Sequence, residues 1–160
     1  MDRHDVQPHT RVSIAFVTED GPGEAVGWVI SNDSTSLSLR TRSGERLLPW
    51  SQVTSCRSIG VPRGRDPLRT PPSQLAELAG HAGLSGRKFI IRLSQLLDGR
   101  GPVRPAEGVF VDGEWAVCAA GEDVLARAWA AAHADARSLL VIATDDQATE
   151  LTTLGFTEAP

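Results

Sequence analysis

Three sets of residues have types and spacings that could do chemistry. The first is Gly121-Glu122-Asp123, which opens an Ala-rich stretch at 122–136. There Val124, Leu125, Ala128, Trp129 and Ala132 recur at helical spacing. The N–H groups of a helix's first turn lack partners within the helix, and the dipole favours an anion there. The start of that helix is therefore a place where an anion could rest. Glu122 and Asp123 also suit plain capping of the dipole, and as negative charges they disfavour a second anion. The second set is Arg40, Arg42 and Arg46. Residues 40–69 hold seven arginines against two acids, Glu45 and Asp66. Arginine clusters of this kind meet phosphates or RNA, but a solvated face followed by a basic linker accounts for them better. The third is Gly99-Arg100-Gly101, of anion-binding composition, but Pro102 and Pro105 follow, so it opens no helix. Glu107, Asp112 and Glu114 are general bases by type. No residue is assigned a catalytic role.

Composition narrows the classes. The chain has 160 residues, of which 41% are hydrophobic, enough for one medium domain or two small ones. No apolar run reaches the roughly 20 residues of a membrane helix, and Met1-Asp2-Arg3-His4-Asp5 lacks signal-peptide order. A cytoplasmic protein with no membrane partner is expected. Cys56 and Cys118 lie far apart, and His4, His9, His81 and His133 are scattered, so no metal site is expected. There is no tyrosine, and Lys88 is the only lysine against fifteen arginines. Residues 1–72 hold nine arginines and eight acids, while 73–160 hold seven basic and twelve acidic residues. That balance demands no nucleic-acid partner.

The elements that would position these residues fall into two halves. In 11–18, Val12, Ile14 and Phe16 alternate with polar residues, as in a half-buried strand. A turn at Asp20-Gly21-Pro22-Gly23 leads to a strand at 24–31, where Gly27 allows a bulge or bend. Strands follow at 35–41, 45–50 and 54–59, with turns at Asn32-Asp33 and Ser43-Gly44. Five short strands with tight turns predict a small bent barrel over 1–60. Trp28 and Trp50 read as core or rim packing. Residues 61–72, with four prolines, cannot form a regular helix and are read as a linker.

The second half, 73–160, alternates helix and strand. Ser73 is a possible cap for a helix bearing Leu75, Leu78 and Ala79 on one face. Strand 88–93, a short turn at 94–97 and a loop at 98–105 follow. A hairpin of 107–111 and 114–120 is expected around an Asp112-Gly113 turn. Next come the helix at 122–136, a fully apolar strand at 138–143 and a last helix near 146–154, stopped by Gly155. A helix between two such strands implies a crossover and a mixed sheet.

Two stretches resemble a known family. Residues 11–61, with Gly-Trp-Val-Ile, Leu-Pro-Trp-Ser-Gln-Val and Cys-Arg-Ser-Ile, resemble the SH3-like domain at the N-terminus of some actinobacterial GNAT-family (GCN5-related) acetyltransferases. Leu139–Ala143, Asp145–Leu151 and Leu154-Gly155-Phe156 resemble the C-terminal half of a GNAT domain. The resemblance implies a mixed fold, an SH3-like barrel followed by a shortened GNAT-like α/β domain. It implies acetyl-CoA as cofactor, held where two neighbouring strands splay, with its pyrophosphate at Gly121, Glu122 and Asp123. The family's Arg/Gln-x-x-Gly-x-Gly/Ala motif is not found before that helix, and the tyrosine that protonates the departing thiolate has no counterpart. Two functions follow. One is an acyl-CoA-dependent N-acetyltransferase with an atypical or degenerate CoA site. The other is a non-catalytic protein that binds a protein partner, a second copy of itself, or RNA through the basic barrel face.

Overall fold

The computed structural model describes residues 5–160. The chain divides into two compact units, Met1–Gly60 and Val61–Pro160. Each is built on its own five-stranded sheet, so the protein is mixed α/β. Residues 61–72, expected as a linker, fall in the second unit and include a 3-10 turn at Pro67–Arg69.

In the first unit, β1 (Arg11–Thr18), β2 (Gly21–Asn32), β3 (Ser36–Thr41), β4 (Gly44–Pro49) and β5 (Val53–Ser58) form an antiparallel sheet ordered β4-β3-β2-β1-β5. Alternation places Val12, Ile14, Phe16, Val29, Leu37, Leu39, Leu48 and Cys56 in one buried cluster. The first and third turns sit earlier than expected. Thr18 pairs with Gly21, so the β1–β2 turn is Glu19-Asp20, and positive-φ Gly21 and Gly44 already belong to the following strands. The bulge expected near Gly27 occurs at Ile30, where the β2–β3 register shifts. Gly27 serves a different purpose: a Cβ there would lie 2.5 Å from the Arg40 carbonyl oxygen. Asp33 Oδ1 accepts from the N–H groups of Thr35 and Ser36 at 2.8 and 2.9 Å, which fixes the β2–β3 turn. Trp50 is half-buried against the core, and its indole N–H donates to Asn32 Oδ1 at 2.9 Å.

The second unit begins with α1 (Pro72–His81), with Pro71 rather than Ser73 at the N-cap position and no side-chain cap. Then come β6 (Arg87–Arg92), α2 (Leu93–Leu97), β7 (Phe110–Asp112), β8 (Trp115–Ala119), α3 (Val124–His133), β9 (Ser138–Ala143), α4 (Ala148–Leu154) and β10 (Thr157–Ala159). The sheet order is β10-β6-β9-β8-β7. β8 and β9 are parallel and joined through α3; the other pairs are antiparallel. A parallel pair requires such a crossover. β9 is buried along its whole length, as its Leu139-Leu140-Val141-Ile142 run demands of a central strand.

α1 sets Leu75, Leu78 and Ala79 on Ile90, Trp115, Val117, Leu140 and Ile142. Residues of opposite parity, such as Phe89, Leu139 and Cys118, are buried on the other face. α3 is shorter than the expected 122–136, because Asp123 already has non-helical backbone and Asp135 turns the chain with φ 66°. The β7–β8 turn is Gly113-Glu114, one residue later than expected; Asp112 pairs with Trp115, and Gly113 takes φ 59°. Thr144 caps a 3-10 turn, Asp145–Gln147, that precedes α4. β10 was not expected. It is anchored on β6 through Arg87, which binds Glu158 by two hydrogen bonds at 2.8 and 2.6 Å.

Candidate functional site

The start of α3 lies at the C-terminal ends of β8 and β9. These strands stay paired through five successive registers, from Trp115–Ser138 to Ala119–Ile142. The Ala120 N–H then extends the ladder to the Ile142 carbonyl at 2.9 Å. No splay opens between them. Asp123 occupies the N-cap without capping the helix through its side chain. Its Oδ2 instead accepts from Arg127 Nε at 3.1 Å, and Arg127 Nη1 donates to the Ala119 carbonyl at 3.3 Å. Asp123 Oδ1 would lie 3.2 Å from a Cβ on Gly121. Glu122 is exposed. The chain's own ion pair therefore lies over the helix start. Beneath it, burial pushes the Cys118 thiol up to about 11, which keeps it protonated and unreactive.

The three arginines of the first unit do not converge. Arg40 pairs with Glu45 and also with Trp28, on the face opposite the core. Arg46 pairs with Leu39 and so falls on the core side, where its guanidinium stacks 4.5 Å from the centre of the Phe16 ring. Arg42 is exposed in the β3–β4 turn. Arg100 is exposed, and its Nε donates to the Leu96 carbonyl at 2.8 Å. Glu107 is exposed and unallied with any of these groups.

Asp112 and Glu114 belong to a different place. They border an open cleft of about 1430 Å³ within the second unit. Its roof is the 3-10 turn Pro67–Arg69 and the first turns of α1, with Arg65, Arg69, Ser73, Gln74 and Glu77 on the walls. Its floor is one row of the sheet. Register sets Arg92 beside Ser138, Ser138 beside Trp115, and Trp115 beside Asp112, one residue from each of four strands. All four share the parity of Ile90, Leu140 and Val117, the face that α1 covers. This row closes the N-terminal ends of β8 and β9, roughly 13 Å of strand away from the α3 start.

Within the row, Trp115 and Ser138 are buried, and Arg92 is half-buried. Arg92 Nε is fully buried and makes no hydrogen bond. Buried donors are ordinarily satisfied, so this one is an exception in the unit. α1 begins without a side-chain cap and without an acid in its first turn, and Ser73 and Gln74 of that turn face the cleft.

Sequence reasoning passed over Arg92, Ser138 and Trp115. One signal was present: Arg92 ends an apolar strand and is in phase with buried Ile90, an unusual position for a charge. Nothing local reveals that Ser138 and Trp115 lie beside it, since they come from three separated segments. Among the described residues no group of three or more His, Cys, Asp or Glu side chains could hold a metal ion, and no helix is long and apolar enough to cross a membrane. Comparison with known proteins finds no matching protein family, no matching curated protein and no matching solved structure.

Proposed function

We propose that this chain is a non-catalytic binding protein whose α/β unit takes its ligand in the cleft between α1 and the Arg92–Asp112 row. One observation carries the reading. An open recess of the unit and Arg92, whose buried Nε makes no hydrogen bond, coincide there, while the α3 start is covered by the Asp123–Arg127 pair. Binding sites are concave, with a few convergent polar groups on an apolar bed. Trp115 and Leu78 supply the apolar bed here, and Arg92, Ser138 and Gln74 the polar groups.

A second reading, acyl-CoA-dependent N-acyl transfer by a shortened GNAT-like domain behind an SH3-like barrel, is favoured by a different observation. β8, α3 and β9 form a parallel crossover, followed by α4 and Leu154-Gly155-Phe156. Gly121, Glu122 and Asp123 would then hold the pyrophosphate of acetyl-CoA. A thermal-shift titration with acetyl-CoA separates the two. No stabilisation at millimolar ligand is expected. A saturable rise in melting temperature that disappears when the helix start is altered would overturn the non-catalytic reading.

A further inference from the structure

The cleft's floor also indicates the class of ligand, on the reading that the cleft is the binding site. Its charge is divided lengthwise. The guanidinium of Arg92 stands at one end of the row, and the exposed carboxylates of Asp112 and Glu114 stand at the other. The ends are three strand spacings apart, about 14 Å. Ser138 and Trp115 fill the interval.

At the basic end, Arg92 Nε is out of water and unpaired. The guanidinium keeps its charge, and its terminal nitrogens pair with a carboxylate more strongly than a neutral donor would. Arg69 borders the same recess and also favours an anion. At the acidic end, neither Asp112 nor Glu114 forms an ion pair among the described residues. Glu77 and Asp66 add two more carboxylates to the walls, so acids outnumber arginines around the cleft. A multiply charged phosphate meets net repulsion there, whereas a ligand with one anionic and one cationic end meets complementary charge at both.

We infer that the cleft binds a short extended peptide with free termini, its carboxylate on Arg92 and its ammonium group against Asp112 and Glu114. An extended chain advances about 3.4 Å per residue, so roughly four residues span the row. Trp115 offers the peptide an apolar bed, and the openness of the recess suits a chain rather than an enclosed small molecule.

The test is a backbone-amide NMR titration of the full chain with tetraglycine, tetraglycine amide and N-acetyl-tetraglycine. Tetraglycine is expected to shift the amides of Trp115 and Ser138. Each blocked form is expected to bind about tenfold more weakly, the scale of one lost charged hydrogen bond. Arg92→Met should lose the carboxylate discrimination, and Arg92→Lys should keep part of it; the Lys variant also guards against a loss that is only structural. Equal binding of the blocked and free peptides would overturn the assignment. So would unchanged discrimination in Arg92→Met, the same shifts with inorganic phosphate, or no shift with any peptide. These results are independent of acetyl-CoA. Failure of the peptide titration removes this ligand class, whereas an acetyl-CoA response at Gly121–Asp123 removes the non-catalytic reading.

Discussion

Asp123 and Arg127 stand one helical turn apart, and the carboxylate of the first accepts from Nε of the second at 3.1 Å. The Asp123 side chain is 45% exposed and that of Arg127 is 23% exposed, so solvent screens the attraction. The pair matters more for where it lies than for its energy. It spans the helix start at which an anion would otherwise find free N–H groups.

Asp123→Ala is therefore expected to cost little, about 0.3–0.5 kcal/mol, as for other exposed i,i+4 pairs. It is not expected to create acetyl-CoA binding, because β8 and β9 remain paired up to Ala120. Denaturant unfolding and an acetyl-CoA titration of the variant check both statements. A new saturable response would mean that the ion pair alone blocks the site.

Gly27→Ala should damage the first unit. The added methyl would meet the Arg40 carbonyl at 2.5 Å, and a backbone oxygen in a paired strand cannot step aside. Overpacking of this kind costs roughly 1–3 kcal/mol. Urea unfolding followed by the fluorescence of Trp28 and Trp50 measures it, and Gly44→Ala provides a contrast. There the added methyl meets no atom within 4 Å, and only the φ of 120° is unfavourable.

Both thiols should be silent in the folded protein. Burial raises Cys56 above its ordinary value and pushes Cys118 up to about 11. At about pH 8 a thiol-exchange reagent should react slowly with the native chain and label both residues at once in guanidinium. Fast labelling of native Cys118 would show that the region beneath the α3 start opens readily.

Acid should loosen β10 first. The Arg87 guanidinium holds the Glu158 carboxyl below its ordinary 4.5. A depressed folded value adds stability above the unfolded value, and that stability is lost as pH falls through the folded value. Asp146 behaves alike because the Thr144 hydroxyl donates to it. Melting temperatures followed from about pH 6 to about pH 3 should fall below roughly pH 4.5. The fall should be shallower in Arg87→Gln, whose effect is modest because the pair is exposed.

Periodicity by itself determined much of the scaffold. Val12, Ile14 and Phe16 mark β1, the unbroken Leu139–Ile142 run marks β9, and the Ala-rich stretch marks α3. These are local signals, because a side chain's burial along one element follows from its own repeat. The sequence also determined that the α3 start is acidic and that no tyrosine is present. It did not determine the ends of the elements. The β7–β8 turn moved by one residue because Gly113 rather than Asp112 takes the positive φ. β10 was too short and too polar to announce itself; only its pairing with β6 and the Arg87–Glu158 bonds make it a strand. Tertiary structure alone decided which residues meet. Strand register brings Arg92, Ser138, Trp115 and Asp112 into one row from four segments of the chain, and it keeps Arg40 and Arg46 on opposite faces of one hairpin. Register depends on hydrogen bonds between strands distant in sequence, and a shift of one residue would turn each of these side chains to the other face.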